Sequence, residues 1–138
     1  MGVTVSPFLM FEGQAGEALD LYAAAFEDAE VVEVRRYDDA GPGPAGTVEH
    51  AVLRVGDREV RLIDSPVQHD FGFTPAVSLF VDLDSADDVD LAFEMLSAGG
   101  KVLMPLDAYP FSPRFAWVAD RFGVSWQLSA GSDPAASD

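Results

Sequence analysis

No cysteine occurs in the 138-residue sequence. Disulfides, thiolate metal sites and cysteine nucleophiles are therefore excluded. Lysine is nearly missing as well. Lys101 stands alone beside seven arginines, which reads as a compositional bias of the source. Histidine occurs only as His50 and His69. The formal net charge is -16 at pH 7. Such a surface repels phosphate backbones and anionic lipid, so neither nucleic acid nor a membrane surface is expected as a partner. No apolar run approaches the ~20 residues of a membrane span. The opening MGVTVSPFLMFEG lacks the charged and long apolar regions of a signal peptide, so a cytoplasmic protein is expected.

What is present suffices for a core. Hydrophobic residues make up 49% of the chain, an ordinary globular share. The length fits one domain, or two small modules sharing a core. The most regular stretch is Thr47 to Pro66, TVEHAVLRVGDREVRLIDSP. Two alternating runs flank Gly56-Asp57, which signals a hairpin. With those two residues as the turn, Val55 pairs with Arg58, Arg54 with Glu59, Val52 with Arg61 and His50 with Ile63. Cross-strand partners share a face. Ala51, Leu53, Val55, Val60 and Leu62 then form a core face. The other face carries His50, Val52, Arg54, Glu59, Arg61 and Ile63. A basic face in so acidic a chain reads as one wall of a small-molecule cup.

Around this hairpin the elements follow in order. Pro7 to Phe11 is a strand. From Ala15, the spacing of Ala18, Leu19, Tyr22, Ala25 and Phe26 predicts an amphipathic helix. Glu30 to Tyr37 is a strand, and Asp38 to Gly46 a loop rich in Gly and Pro. Ser65 to Pro75 is a long connection. Ala76 to Leu83 is a strand, after which Ser85 and Asp88 make a capping box for a helix that Gly99-Gly100 ends. Lys101 to Met104 is a strand, Pro105 to Arg114 an aromatic and proline-rich loop. Phe115 to Ala119 and Val124 to Ser129 form a hairpin across Asp120-Arg121-Phe122-Gly123. The polar segment 131–138 reads as a disordered tail.

Strand, helix and three strands thus occur twice. The halves align at a shift of about 70 positions, with Phe11-Glu12 against Val81-Asp82, as an internal repeat should. The expected fold is α+β: two βαβββ modules, at about 7–66 and 76–129, in a single domain over 1–130. Their eight strands form an incompletely closed sheet around a cup.

Four runs carry a resemblance to a known family: PFLMFEGQAGEAL, IDSPVQHDFGFTPAVSLFV, MPLDAYPF and FAWVADRFGVSWQLS. They reach from Pro7 to Ser129. In them the chain resembles the PhnB-like branch of the glyoxalase/bleomycin-resistance/dioxygenase group, the vicinal oxygen chelate superfamily. Members of that branch often carry the label 3-demethylubiquinone-9 3-methyltransferase. The resemblance implies the paired βαβββ fold. In metal-dependent members it also implies four ligands, usually His and Glu, around one divalent metal. Carried over by position, these fall at Pro7, near Arg61, near Ala76 and at Gln127. Pro and Ala offer no ligand, Arg is a permanent cation, and Gln is a weak neutral donor. No metal and no other cofactor is therefore expected. The methyltransferase label gains nothing from Gly41-Pro42-Gly43, which lies in a proline-rich loop with no helix after it.

The candidate site residues each carry two readings. His50 is a general base or hydrogen-bond donor in the cup, or a strand histidine without a task. Arg61 grips a carboxylate or phosphate of a ligand, or pairs internally with Glu12 or Glu59. Arg54 and Glu59 form a plain cross-strand pair. Asp64, before Ser65-Pro66, caps a turn. His69 closes over the cup with Asp70, or lies on the surface. Ser78 and Gln127 face the cup if the family registers hold. Trp126 is core, and Trp117 takes either face, depending on a bulge at Gly123. Tyr109, Phe111 and Phe71 form an aromatic rim, or plug sheet ends or a dimer interface. The function expected is metal-independent binding of a small polar or anionic molecule by a homodimer. The alternatives are a lyase, isomerase or transferase using His50 as base, and a non-catalytic module with a filled cup.

Overall fold

The stretch around Gly56-Asp57 folds as the hairpin its alternation predicts. The protein is described here by a computed structural model covering residues 2–131. Strand β3 is Val48–Val55 and β4 is Arg58–Asp64. Their register runs Val55↔Arg58, Arg54↔Glu59, Leu53↔Val60, Val52↔Arg61 and Ala51↔Leu62. Gly56 has φ 59, the left-handed value that suits a two-residue turn and that glycine adopts without steric cost. Ala51, Leu53, Val60 and Leu62 are buried. The parity read from the sequence is the parity of the fold.

The chain divides into two compact units, Met1–Asp70 and Phe71–Asp138. In the first, β1 (Phe8–Phe11) pairs parallel with β4, and β2 (Ala29–Arg36) antiparallel with β3. The sheet order is β1-β4-β3-β2. Helix α1 (Ala15–Ala25) buries Ala15, Ala18, Leu19, Leu21, Tyr22 and Ala25 and lies against β2, β3 and β4. It covers one face of the sheet. The face carrying His50 and Arg61 is turned away from it.

Asp64 has a larger task than the expected turn cap. Its side chain is on the helix face and 2% exposed. One carboxylate oxygen accepts the N–H groups of Gly13, at 2.8 Å, and Ala15, at 2.9 Å. The other accepts the N–H of Val48 at 2.9 Å. Gln14, at the start of α1, makes no side-chain cap, so a residue from the far end of the unit does that work. The negative charge also sits where the helix dipole favours it. The Tyr37 hydroxyl donates to the Asp64 carbonyl at 2.9 Å. Burial raises the Tyr37 pKa, with Glu49 and Asp64 adding to the shift. The loop after β2 is wrapped on this ring. A Cβ on buried Gly43 would meet Tyr37 ring carbons at 2.6 Å.

The second unit repeats the plan with β5 (Ser78–Leu83), α2 (Ala86–Ser97), β6 (Lys101–Tyr109), β7 (Ser112–Ala119) and β8 (Ser125–Ala130). The order is β5-β8-β7-β6. Here the helix is capped locally, the Ser85 hydroxyl accepting the Asp88 N–H at 3.1 Å. Gly99 follows the helix at φ 74. Val89, Ala92 and Leu96 are buried beneath it.

Two expectations are corrected. Residues 105–114 are not a loop: β6 and β7 continue through them to a turn at Pro110-Phe111. Strand β6 is a sheet edge with register irregularities on both sides of Met104 and Asp107. An edge or bulge tolerates Pro105, because its missing N–H breaks no inner ladder. The repeat is also offset from the sequence alignment. Ser65 N–H donates to Phe11 and Gly131 N–H to Leu83. These bonds equate Phe11 with Leu83, not with Val81. Gly131 is thereby tied to β5, and the rest of the expected tail lies outside the described residues. Among the described residues no helix is long and apolar enough to cross a membrane.

Asp64→Asn should lower the unfolding free energy by at least about 2 kcal/mol. It would set an amide N–H₂ against buried N–H donors and leave one unsatisfied. Urea titration measures this, and a loss below about 0.5 kcal/mol would contradict it.

Candidate functional site

In the first unit the face away from α1 carries a row across three strands. Phe8 pairs with Arg61, and Arg61 with Val52. His50 stands beside the row, opposite Arg35 on β2. An Arg61 Nη1–H donates to His50 Nε2 at 3.1 Å, and the Phe8 ring lies 5.8 Å from the imidazole. A guanidinium only donates. In this contact Nε2 of His50 therefore accepts, with the ring proton on Nδ1. The lone pair that a general base would use is engaged, and Arg61 must leave before His50 accepts a proton at Nε2. Nδ1–H is left as a further donor on this face.

Arg61 also pairs with Glu59 through Nη2 at 3.3 Å, both side chains 41% exposed. Of the two internal partners expected for Arg61, Glu59 is thus the one found. Arg54 and Glu59 are cross-strand partners as expected, but their ion pairs run elsewhere. Arg54 turns to β2 and the segment before it, reaching Asp28 at 3.2 Å and Glu30 at 3.3 Å. The hydrogen bonds it donates to these two carboxylates raise its pKa. The reason is the register. Glu30 is Arg54's partner across β2, while Glu59 is two residues from Arg61 on the same face of β4. His69 belongs to the connection after β4. Its Nε2 lies 2.8 Å from the Ser65 hydroxyl, and its N–H donates to Glu12 at 3.3 Å.

The second unit has its own face turned away from its helix. Phe80, Gln127 and Trp117 form one row across β5, β8 and β7. Trp117 thus lies on Gln127's face. The turn through Gly123 keeps Trp117 in register because Asp120 accepts the N–H groups of Phe122 and Val124. Trp126, on the opposite parity, is 1% exposed and donates to Asp120 at 3.0 Å. Ser78 and Gln127 meet, Gln127 Nε2 donating to the Ser78 hydroxyl at 3.3 Å. Ser78 in turn lies 2.6 Å from the Ser125 hydroxyl, which accepts the Trp117 indole N–H at 2.8 Å. Tyr109 and Phe111, at the β6–β7 turn, stack on each other and meet Phe115 edge-on, with centroids 5.6 and 4.9 Å away. Phe71 is exposed.

Sequence reasoning missed Ser125, Phe8 and Phe80. Each was within reach of the same parity argument: Ser125 is two residues from Gln127, and Phe8 and Phe80 are the strand neighbours of Arg61 and Gln127. The repeat makes the relation plain. Phe8, His50, Val52 and Arg61 in the first unit correspond to Phe80, Phe115, Trp117 and Gln127 in the second. The ring pair Phe8–His50 recurs as Phe80–Phe115 at 6.3 Å.

Residues 3–129 match the sequence model of the family described as 3-demethylubiquinone-9 3-methyltransferase. The chain belongs to this family. The PhnB protein from Bacillus cereus is 46% identical, with a TM-score of 0.86 over 92% of this chain and 98% of that one. An uncharacterized protein of Mycobacterium bovis is 34% identical, over 90% of this chain and 80% of its own. The fosfomycin resistance protein FosX of Listeria monocytogenes is 11% identical with a TM-score of 0.69, covering 99% and 98% of the two chains. That likeness shows the fold alone, which is the glyoxalase/bleomycin-resistance fold.

For this PhnB-like family member the superfamily's metal does not fit the residues. Arg61, near which the resemblance puts one ligand, is a permanent cation in contact with His50 and Glu59. Pro7 offers only its carbonyl, which accepts the Arg61 N–H. Gln127 points an N–H at Ser78. Among the described residues no three His, Cys, Asp or Glu side chains gather into a group that could hold a metal ion. Gly41 and Gly43 are accounted for by the Tyr37 ring they pack on, not by a methyl donor.

The His50–Arg61 contact sets an expected outcome for long-range ¹H–¹⁵N spectroscopy. Near neutral pH His50 should show the Nδ1–H tautomer, and Arg61→Met should release it to a mixture. A dominant Nε2–H tautomer in the unaltered protein would contradict the pairing.

Proposed function

We propose that this protein binds a small polar or anionic molecule without a metal, using the guanidinium of Arg61 where metal-dependent relatives place a ligand. One observation carries the reading: Arg61 and His50 stand in hydrogen-bond contact on the face of the first sheet turned away from α1, in a chain of net charge -16. Phe8 supplies an apolar wall. The pair offers guanidinium N–H groups and the imidazole Nδ1–H, a set suited to a carboxylate or phosphate-type oxyanion. Glu59 occupies the guanidinium in the unliganded protein. An ion pair this exposed contributes at most about 1 kcal/mol, so an incoming oxyanion displaces it at little cost. The activity named in the family's description is not part of this reading.

We further propose that two copies pair in solution. The edge strands β2 and β6 leave Val31, Val32 and Val102 exposed, and uncovered edges favour association.

Phenylphosphonate should raise the melting temperature of the protein, and Arg61→Met should weaken its binding about tenfold or more, as loss of a charge-assisted hydrogen bond implies. Unchanged affinity would make Arg61 structural. Elemental analysis of protein purified without chelators should find less than one divalent metal per chain, and a full equivalent would overturn metal independence. Light scattering should give a dimer mass; a monomer at all concentrations would remove the pairing.

A further inference from the structure

The face of the second sheet turned away from α2 holds a hydrogen-bonding edge between two rings. Two hydroxyl protons serve Ser78 and Ser125, and only one lies between the two oxygens. Ser125 is 2% exposed and already accepts from Trp117. Its proton goes to Ser78, since a buried donor without a partner is costly. Ser78 accepts that proton and the Gln127 N–H, and its own proton remains for something else. Gln127, half-buried, also keeps its carbonyl oxygen and one N–H. An acceptor and two donors therefore lie on the same face of the sheet. Phe80, 55% exposed, flanks them on one side. Trp117, fixed by its indole bond, flanks them on the other.

We propose that this row is a binding site for a neutral, planar molecule carrying a primary amide or lactam edge. The ligand carbonyl takes the Gln127 N–H and the Ser78 hydroxyl. The ligand N–H meets the Gln127 carbonyl. The ligand plane rests against Phe80 and Trp117. An oxyanion is disfavoured twice. Its second oxygen would face the Gln127 carbonyl oxygen, two acceptors without a proton between them. Asp82, exposed in the next row of the same face, repels negative charge. The selectivity is the reverse of that at Arg61, and the inference stands without that reading. Both rest on the same repeat: the position of a guanidinium in the first unit is that of an amide in the second.

Benzamide and benzoate are matched in shape and differ at this edge. Titrated into ¹⁵N-labelled protein, benzamide should shift the Gln127 side-chain amide signals and the indole N–H that Trp117→Phe removes. Benzoate should leave both in place. Gln127→Glu keeps the shape and loses the amide donors, and should weaken benzamide binding about tenfold. Phe80→Ala should weaken it independently, since it leaves the polar edge intact. Equal shifts by the two compounds, no shift by benzamide, or undiminished binding in both Gln127→Glu and Phe80→Ala would overturn the proposal.

Discussion

One buried carboxylate holds the first unit together. Asp64 accepts from the start of α1 and from the first residue of β3, while its own strand pairs with β1. A carboxylate 2% exposed is stable only when it is hydrogen-bonded, and three backbone N–H groups donate to it. The arrangement fixes helix, loop and hairpin against one another. The second unit has Ala130 at the corresponding place and relies on Ser85 instead. The two halves share a topology and differ in how their helices are anchored.

The parity of the strands converts that scaffold into chemistry. Alternate residues of β3 and β4 feed the core, and those between them meet on the face α1 leaves uncovered. The same holds for β7 and β8. Because the halves are related by a repeat, each site position has a counterpart: Arg61 with Gln127, His50 with Phe115, Val52 with Trp117. The first face is a set of donors next to a ring, and the second an amide among rings. One fold thus presents two different hydrogen-bonding patterns. Metal coordination would need carboxylates and imidazoles at positions now held by a cation and an amide.

Much of this was legible in the sequence because it depends on period-two alternation and on local turn chemistry. Gly56-Asp57 set the hairpin register, and that register put His50 and Arg61 together. Ser85 and Asp88 marked the second helix start. The parts that were not legible depend on contacts distant in sequence. Asp64 looked like a turn residue because its partners, Gly13, Ala15 and Val48, are far along the chain. Pro105 and Pro110 suggested a loop, since proline breaks an inner ladder, and only the sheet order shows β6 to be an edge. The resemblance to the PhnB-like branch supplied strand equivalences that composition could not. The repeat offset needed the bonds from Ser65 and Gly131. Arg54 was assigned to Glu59 by simple opposition, whereas β2 brings it two other carboxylates.

The central claim is that a guanidinium does the work of a metal in gripping an oxyanion. Calorimetric titration of phenylphosphonate tests it most directly, run once in excess chelator and once with added divalent manganese. The account predicts the same dissociation constant in both. Binding that appears only when the metal is supplied would contradict it.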